Sequence, residues 1–353
     1  MAKITRNKTK VFLIYLIFII AIFCKYFQFG YLSSKYFIDS NKILLMIRDI
    51  NITRSLSYEV TASFFRNINF FKFDSLFDWS IYLTVIFNII FFILLICYKE
   101  YTISELIFIY ASMALLDIFS FNLSKEIIQI LIFNLIYFII LLKCISNKKK
   151  VLLINIILIL ESIFFRNYYI LFLISFNITY YYFSTTKIKS IQKMTPLKKL
   201  ILSIITFLII LGTSVFIVPS LYYSLLEIRY ISEYNLAGAN TVIKNVFQND
   251  SSYYYYILNY IVNFIRILMP IELLKKGIYY FPFVIYQLSV TYYIISSIKE
   301  YKTKNIITVA VVLAYFMTSV TFEPDFGSVV RHESTIFMLL LLLKKESYNK
   351  RKV

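Results

Sequence analysis

The densest group of reactive side chains lies in the stretch TFEPDFGSVVRHES, residues 321–334. Glu323, Asp325, Arg331, His332 and Glu333 fall within 11 residues, and Pro324 and Gly327 give the segment its turns. Arg331 is a permanent cation whose planar fork suits phosphate or carboxylate. His332 is the single histidine of the chain, and its side-chain type ordinarily titrates close to neutral pH. Such a group can take a proton from a nucleophile, as can a carboxylate such as Glu323 or Asp325. The chemistry on offer is proton removal beside a group that stabilises an anion. The plainer alternative is a charged loop in which the arginine pairs with its neighbours.

A second group lies in ILNYIVNFIRILMPIE, residues 256–271. Asn259, Asn263 and Arg266 recur at i, i+4 and i+7, which puts all three on one narrow face of a helix. Pro270 ends that helix. An arginine on an apolar helix is costly at membrane depth unless it meets a partner or a cavity. Arg266 therefore either pairs with an acid such as Glu227 or Glu272, or lines an outward-facing site. The stretch FFRNYY at 164–169 sets Arg166 among aromatics, as a ligand or as an anchor in an aromatic belt. Glu161 and Asp117 are carboxylates inside apolar runs and so candidates for function. In SFNLSKEII, Asn122, Ser124, Lys125 and Glu126 read as a capped helix start. No nucleotide-binding glycine loop and no serine-nucleophile elbow occurs. One histidine cannot supply a multi-histidine metal site, and nothing in the sequence calls for a cofactor. A membrane acyltransferase that depends on an early histidine is disfavoured for the same reason.

The elements that must hold these groups follow from composition. The chain has 353 residues, 60% hydrophobic and 19% aromatic, with only 16% charged and five each of Gly and Pro. Ordinary soluble domains carry about 25% charged residues. A soluble globule, a disordered chain, a disulfide scaffold and a compact nucleic-acid binder are all excluded on this pattern. The expected fold is all-α and polytopic, in one membrane domain over 1–353. A spanning helix needs about 20 mostly apolar residues. Ten candidate runs occur: 11–28, 79–98, 103–121, 126–143, 150–166, 168–185, 200–219, 280–298, 305–322 and 334–344, the last short unless it begins near Val329. The run 256–271 is read as interfacial or re-entrant, because counting it as a crossing would place the basic segments 299–304 and 344–352 outside. The basic N-terminus, with no small-residue cleavage site after its apolar run, reads as an uncleaved first span. Cys24, Cys97 and Cys144 lack metal-ligand spacing and read as small apolar residues.

This layout explains the net charge of +18. The segments assigned to the cytoplasm carry 22 Lys and Arg against 4 acids, which is the whole excess. The outer segments balance, so the charge sets orientation and asks for no acidic partner. Both termini are then cytoplasmic. Of the nine arginines, Arg48, Arg54, Arg66, Arg166, Arg229, Arg266 and Arg331 fall outside or at outer span ends. Lysine suffices for topology, so arginine on the outer face hints at an anionic ligand. Pairing with outer acids or snorkelling is the alternative. Two long outer loops are expected, roughly 29–78 and 220–279. The first holds Asp39-Ser40-Asn41 as an N-cap before a short interfacial helix. The second begins with Leu221, Leu225, Ile228 and Ile231 at helical spacing, followed by Gly238.

In this order, DFGSVVRHES, NFIRILMPIELL, FNLSKEIIQI and FFRNYYILFL resemble segments of Wzy-type and EpsG-like bacterial polysaccharide polymerases. The likeness covers the ten-span layout and both long loops. It departs after Arg331-His332, where Glu333-Ser334-Thr335 stand in place of a second base and a proline. The resemblance implies an enzyme of the bacterial cytoplasmic membrane. It would join undecaprenyl-diphosphate-linked oligosaccharide repeat units at the outer face, beside a flippase and a chain-length regulator. It implies an arginine clamp of Arg166, Arg266 and Arg331 on the diphosphate. His332, Glu323 or Asp325 would be the proton acceptor, with Asn259, Asn263, Asp39 and Glu161 among the substrate contacts. Two rivals remain. A multispan glycosyltransferase with a lipid-phosphate sugar donor would need an acid in the first outer loop, with Asp39 the candidate. A lipid-linked oligosaccharide flippase would bury its charges at mid-membrane, whereas these gather at one face.

Overall fold

The computed structural model describes residues 2–348 apart from 33, 51, 53–54, 97–100, 186–187, most of 218–239, 248–251 and 301–305. The described residues are all-helical, with one isolated β-bridge and no strand. Arg54, Arg229 and the expected helical run from Leu221 to Gly238 lie outside the described residues. The helices are α1 (Ala2–Tyr31), α2 (Ile38–Ile47), α3 (Leu56–Asn67), α4 (Leu76–Ile96), α5 (Ile103–Phe119), α6 (Glu126–Leu141), α7 (Asn147–Phe164) and α8 (Tyr169–Ser184). Then come α9 (Lys189–Gln192), α10 (Pro196–Ile217), α11 (Tyr253–Leu268), α12 (Phe281–Glu300), α13 (Ile306–Phe322), α14 (Phe326–Ser334) and α15 (Phe337–Tyr348). Nine of the ten apolar runs coincide with one helix each, α1, α4 to α8, α10, α12 and α13.

Among the described residues, three helices are long and apolar enough to cross a bilayer, at Leu76–Leu95, Pro196–Ser214 and Ile278–Lys299. A fourth arises if α14 and α15, bent by 73° at their break, form one span. Phe18–Tyr31, Glu126–Leu141 and Ile306–Phe322 are apolar but shorter. The outward faces suit lipid contact: Ile89, Ile93, Ile156, Leu160, Ile205 and Ile209 are all exposed. The last expected run, 334–344, begins at a break, where the chain turns at Thr335 and Ile336 between α14 and α15. Neither Pro nor Gly makes this break. The Ser334 hydroxyl donates to Arg331 O at 2.6 Å, and the Thr335 hydroxyl donates to His332 O at 2.6 Å. Both hydroxyls bond carbonyls of the last turn of α14, where His332 O also accepts Thr335 N–H at 3.1 Å.

The chain resolves into two compact units. The first comprises residues 1–133 with 164–166 and packs α1 against α4 and α5, and α2 against α3 and α4. Its interior is aromatic, with Trp79, Phe65, Phe91 and Phe121 fully buried. A capping box starts α5: Glu105 N–H donates to the Thr102 hydroxyl, and Thr102 N–H donates to the Glu105 carboxylate. One expected cap is corrected. Helix α2 begins at Ile38, so Asp39 lies inside its first turn instead of capping it. The helix start expected in SFNLSKEII is present, with α6 beginning at Glu126.

The second unit comprises residues 134–163 and 167–353. Its centre is α13, in which every residue is buried. A helix that is apolar all round belongs in an interior, and α13 packs on α8, α11, α12 and α15. Helix α11 is tied to it by the Tyr260 hydroxyl, which donates to Met317 O at 2.8 Å. With 16 residues and one polar face, α11 is short for a crossing. Gly277, at φ 143°, turns the chain between α11 and α12 in a region that glycine alone adopts without strain.

Candidate functional site

Helix α13 ends at Phe322 and the next three residues run extended. They pair antiparallel with residues 241–243: Ile243 N–H donates to Pro324 O at 2.8 Å, and Phe326 N–H donates to Thr241 O at 3.0 Å. Asp325 then caps α14. Its carboxylate accepts from Ser328 N–H at 2.9 Å and from the Ser328 hydroxyl at 2.6 Å. The Thr241 hydroxyl reaches the same carboxylate at 3.3 Å. Gly327 is required beside this cap, because a Cβ there would stand 2.9 Å from Asp325 Oδ1. Asp325 is buried and consumed by these bonds. Its geometry is that of a positioning group for α14.

The cap fixes where the last turn of α14 falls. His332 Nδ1 meets Glu323 Oε1 at 2.6 Å, and both side chains are mostly buried. Arg331 Nη2 lies 3.3 Å from His332 Nε2. Three of the four residues singled out for chemistry therefore stand in one line, carboxylate to imidazole to guanidinium. Residues nine apart in sequence meet because the extended segment and the capped helix fold back on each other.

The polar stripe of α11 serves the same construction. Asn259 accepts from Val246 N–H at 3.1 Å and Phe247 N–H at 3.0 Å, and donates to Phe247 O at 2.9 Å. Asn263 donates to Asn245 Oδ1 at 3.0 Å. Arg266 grips Glu272 through both arms of its fork, at 2.9 and 2.6 Å. Its Nη1 donates to Lys244 O and to Asn263 Oδ1. Of the two alternatives for Arg266, the structure displays the ion pair, with Glu272 as the acid. The stripe holds segment 241–247, and that segment pairs with the start of α14. The two sequence clusters are thus joined through backbone that carried no motif of its own.

The remaining candidates have surroundings of their own. Glu161 is buried on α7 in the second unit. Arg166 belongs to the first unit, where it is buried with its guanidinium 5.2 Å from the Phe165 ring centre. Asp39 is also in the first unit, bonded by the Tyr58 hydroxyl, with Lys125 Nζ at 3.8 Å. Asp117 has a partner the sequence reading missed. Lys25, completely buried on α1, donates to Asp117 O, and the Thr84 hydroxyl reaches the Asp117 carboxylate at 3.2 Å. A lysine directly after Cys24 in an apolar helix was the available signal. Glu333 was also passed over as a site. It is fully buried beside Gln287 of α12.

Comparison of the chain with family models, curated proteins and solved structures returns no match. The functional reading therefore rests on this geometry and on the sequence.

Proposed function

We propose that the chain is a polysaccharide polymerase that joins lipid-diphosphate-linked oligosaccharide repeat units at the outer face of the bacterial cytoplasmic membrane. The observation that carries this reading is the line Glu323–His332–Arg331. A glycosyl transfer from a lipid diphosphate has two needs. The attacking sugar hydroxyl must lose a proton, and negative charge must be stabilised on the departing diphosphate. His332 serves the first, held by Glu323, and Arg331 serves the second without a metal.

Arg266 and Asp325 support the site as positioning residues, since their bonds are already committed to protein partners. Asn259 and Asn263 likewise act by holding segment 245–247, and Arg166, Glu161 and Asp39 are secondary candidates for the glycan or the lipid carrier. In the proposed topology the chain crosses the bilayer ten times with both termini cytoplasmic, and the stretches near 29–78 and 220–279 lie outside. The asymmetry of lysine supports that orientation. The rival glycosyltransferase, with Asp39 as its acid, is less favoured because Asp39 is engaged by Tyr58 and Lys125.

Deletion of the gene followed by sizing of surface polysaccharide tests the proposal. Long chains vanish while single repeat units persist. Loss of every repeat unit would instead indicate an early transferase. In Arg331→Lys the charge remains and the fork is lost, so chain length should fall sharply. Full polymerisation in that variant would refute the arginine contact with the diphosphate.

A further inference from the structure

The contacts of His332 assign the proton on its ring. Arginine has only donors, so the group facing Arg331 Nη2 at 3.3 Å must accept, and that group is His332 Nε2. The single proton of a neutral imidazole then sits on Nδ1, which donates to Glu323 Oε1 at 2.6 Å. A doubly protonated ring would set an N–H of a cation against a guanidinium, a repulsive arrangement. The resting ring is thus neutral, and its one basic atom is covered by Arg331.

We infer that Arg331 masks the base. His332 Nε2 becomes available only when an anion, the diphosphate of the lipid-linked donor, draws Arg331 away. The inference rests on the polymerase reading for the identity of the anion and on geometry alone for the mask. A diphosphate carries at least two negative charges and several acceptor oxygens, whereas the imidazole offers one neutral acceptor. The guanidinium therefore transfers to the diphosphate. Donor binding and base activation become a single event.

The step then balances. The acceptor hydroxyl gives its proton to Nε2, and its oxygen forms a bond to the anomeric carbon. The bond from that carbon to the diphosphate oxygen breaks, and its electron pair leaves with the lipid diphosphate, held by Arg331. The imidazolium that forms keeps its Nδ1–H on Glu323, which makes Glu323 a positioning residue for the ring. An acceptor hydroxyl, or a water, arriving at an empty site finds no free base. The order of binding follows: donor first, acceptor second.

Because the chain has one histidine, both parts can be read without ambiguity on the full-length protein in lipid nanodiscs. With labelled histidine, the ring nitrogens give one pair of ¹⁵N resonances, and a protonated Nδ1 with an unprotonated Nε2 is expected. The opposite tautomer overturns the inference. Acylation of His332 by diethyl pyrocarbonate, followed by mass spectrometry, then reports access to Nε2. Inorganic pyrophosphate should raise the wild-type rate by about tenfold to a hundredfold, the scale set by one charge-assisted hydrogen bond, relative to sulfate at equal ionic strength. Arg331→Ala should react fast with or without pyrophosphate. A wild-type rate that pyrophosphate lowers or leaves unchanged overturns the mask, and this arm needs no variant to fold. Neither readout uses turnover. A surviving mask with unaltered polysaccharide after gene deletion would sink the polymerase reading alone.

Discussion

Replacing Asn259 with Ala tests whether the α11 stripe is what holds segment 241–247 in place. Asn259 is almost fully buried and makes three hydrogen bonds to the backbone of Val246 and Phe247. Alanine removes all three and offers nothing in return. At about 1 kcal/mol net for each bond the local loss is about 3 kcal/mol, or on the order of a hundredfold in the equilibrium for local opening. Hydrogen exchange followed by mass spectrometry reads this directly. The amides of Val246 and Phe247 should exchange up to about a hundredfold faster, while those in α13, far more deeply packed, should stay protected. Because segment 241–243 pairs with residues 324–326, the amide of Phe326 should also lose protection and polymer length should drop. Asn259→Asp keeps an acceptor for both amides, so their exchange should remain slow. Unchanged exchange at 246–247 in Asn259→Ala would show that the segment is held by something other than this side chain, and the link from α11 to α14 would fail.

Two further outcomes follow from buried polar contacts. Asp325→Ala removes the cap of α14 and should lower thermal stability by about 1 kcal/mol, whereas Asp325→Asn should retain most of it. Equal losses in the two variants would count against capping as the role of Asp325. In the first unit, Lys25→Met removes the charged donor to the Asp117 backbone carbonyl and should cost about 1.5–3 kcal/mol. Adding Asp117→Leu should not restore that loss, because the carbonyl stays buried without the lysine. Thermal unfolding in detergent measures both, and a Lys25→Met variant as stable as the wild type would count against this bond.

The helices were largely legible in the sequence because apolar periodicity and length act over a few turns. The run 305–322 became α13, and 168–185 became α8. The common face of Asn259, Asn263 and Arg266 also followed from helical spacing alone, and all three side chains do meet segment 244–247 or its support. The break at Thr335 was not legible, because serine and threonine occur within helices as well as at their ends, and their hydroxyls bond last-turn carbonyls only once the chain has turned. Lys25 with Asp117 escaped notice for another reason. They are 92 residues apart, and nothing local marks either as the other's partner.

Composition and spacing by themselves determined that this is an apolar, helical chain with its excess charge in one set of segments. They also determined that its proton-active residues crowd into 321–334. Only the tertiary structure decided which of those residues touch. Asp325 turned out to be a cap, Arg266 a partner of Glu272, and Glu323 the support of the one histidine, with Arg331 over its remaining nitrogen. The physical reason is range. Helix formation depends on neighbours within a few residues, but hydrogen-bond partners are chosen by where distant segments close upon one another.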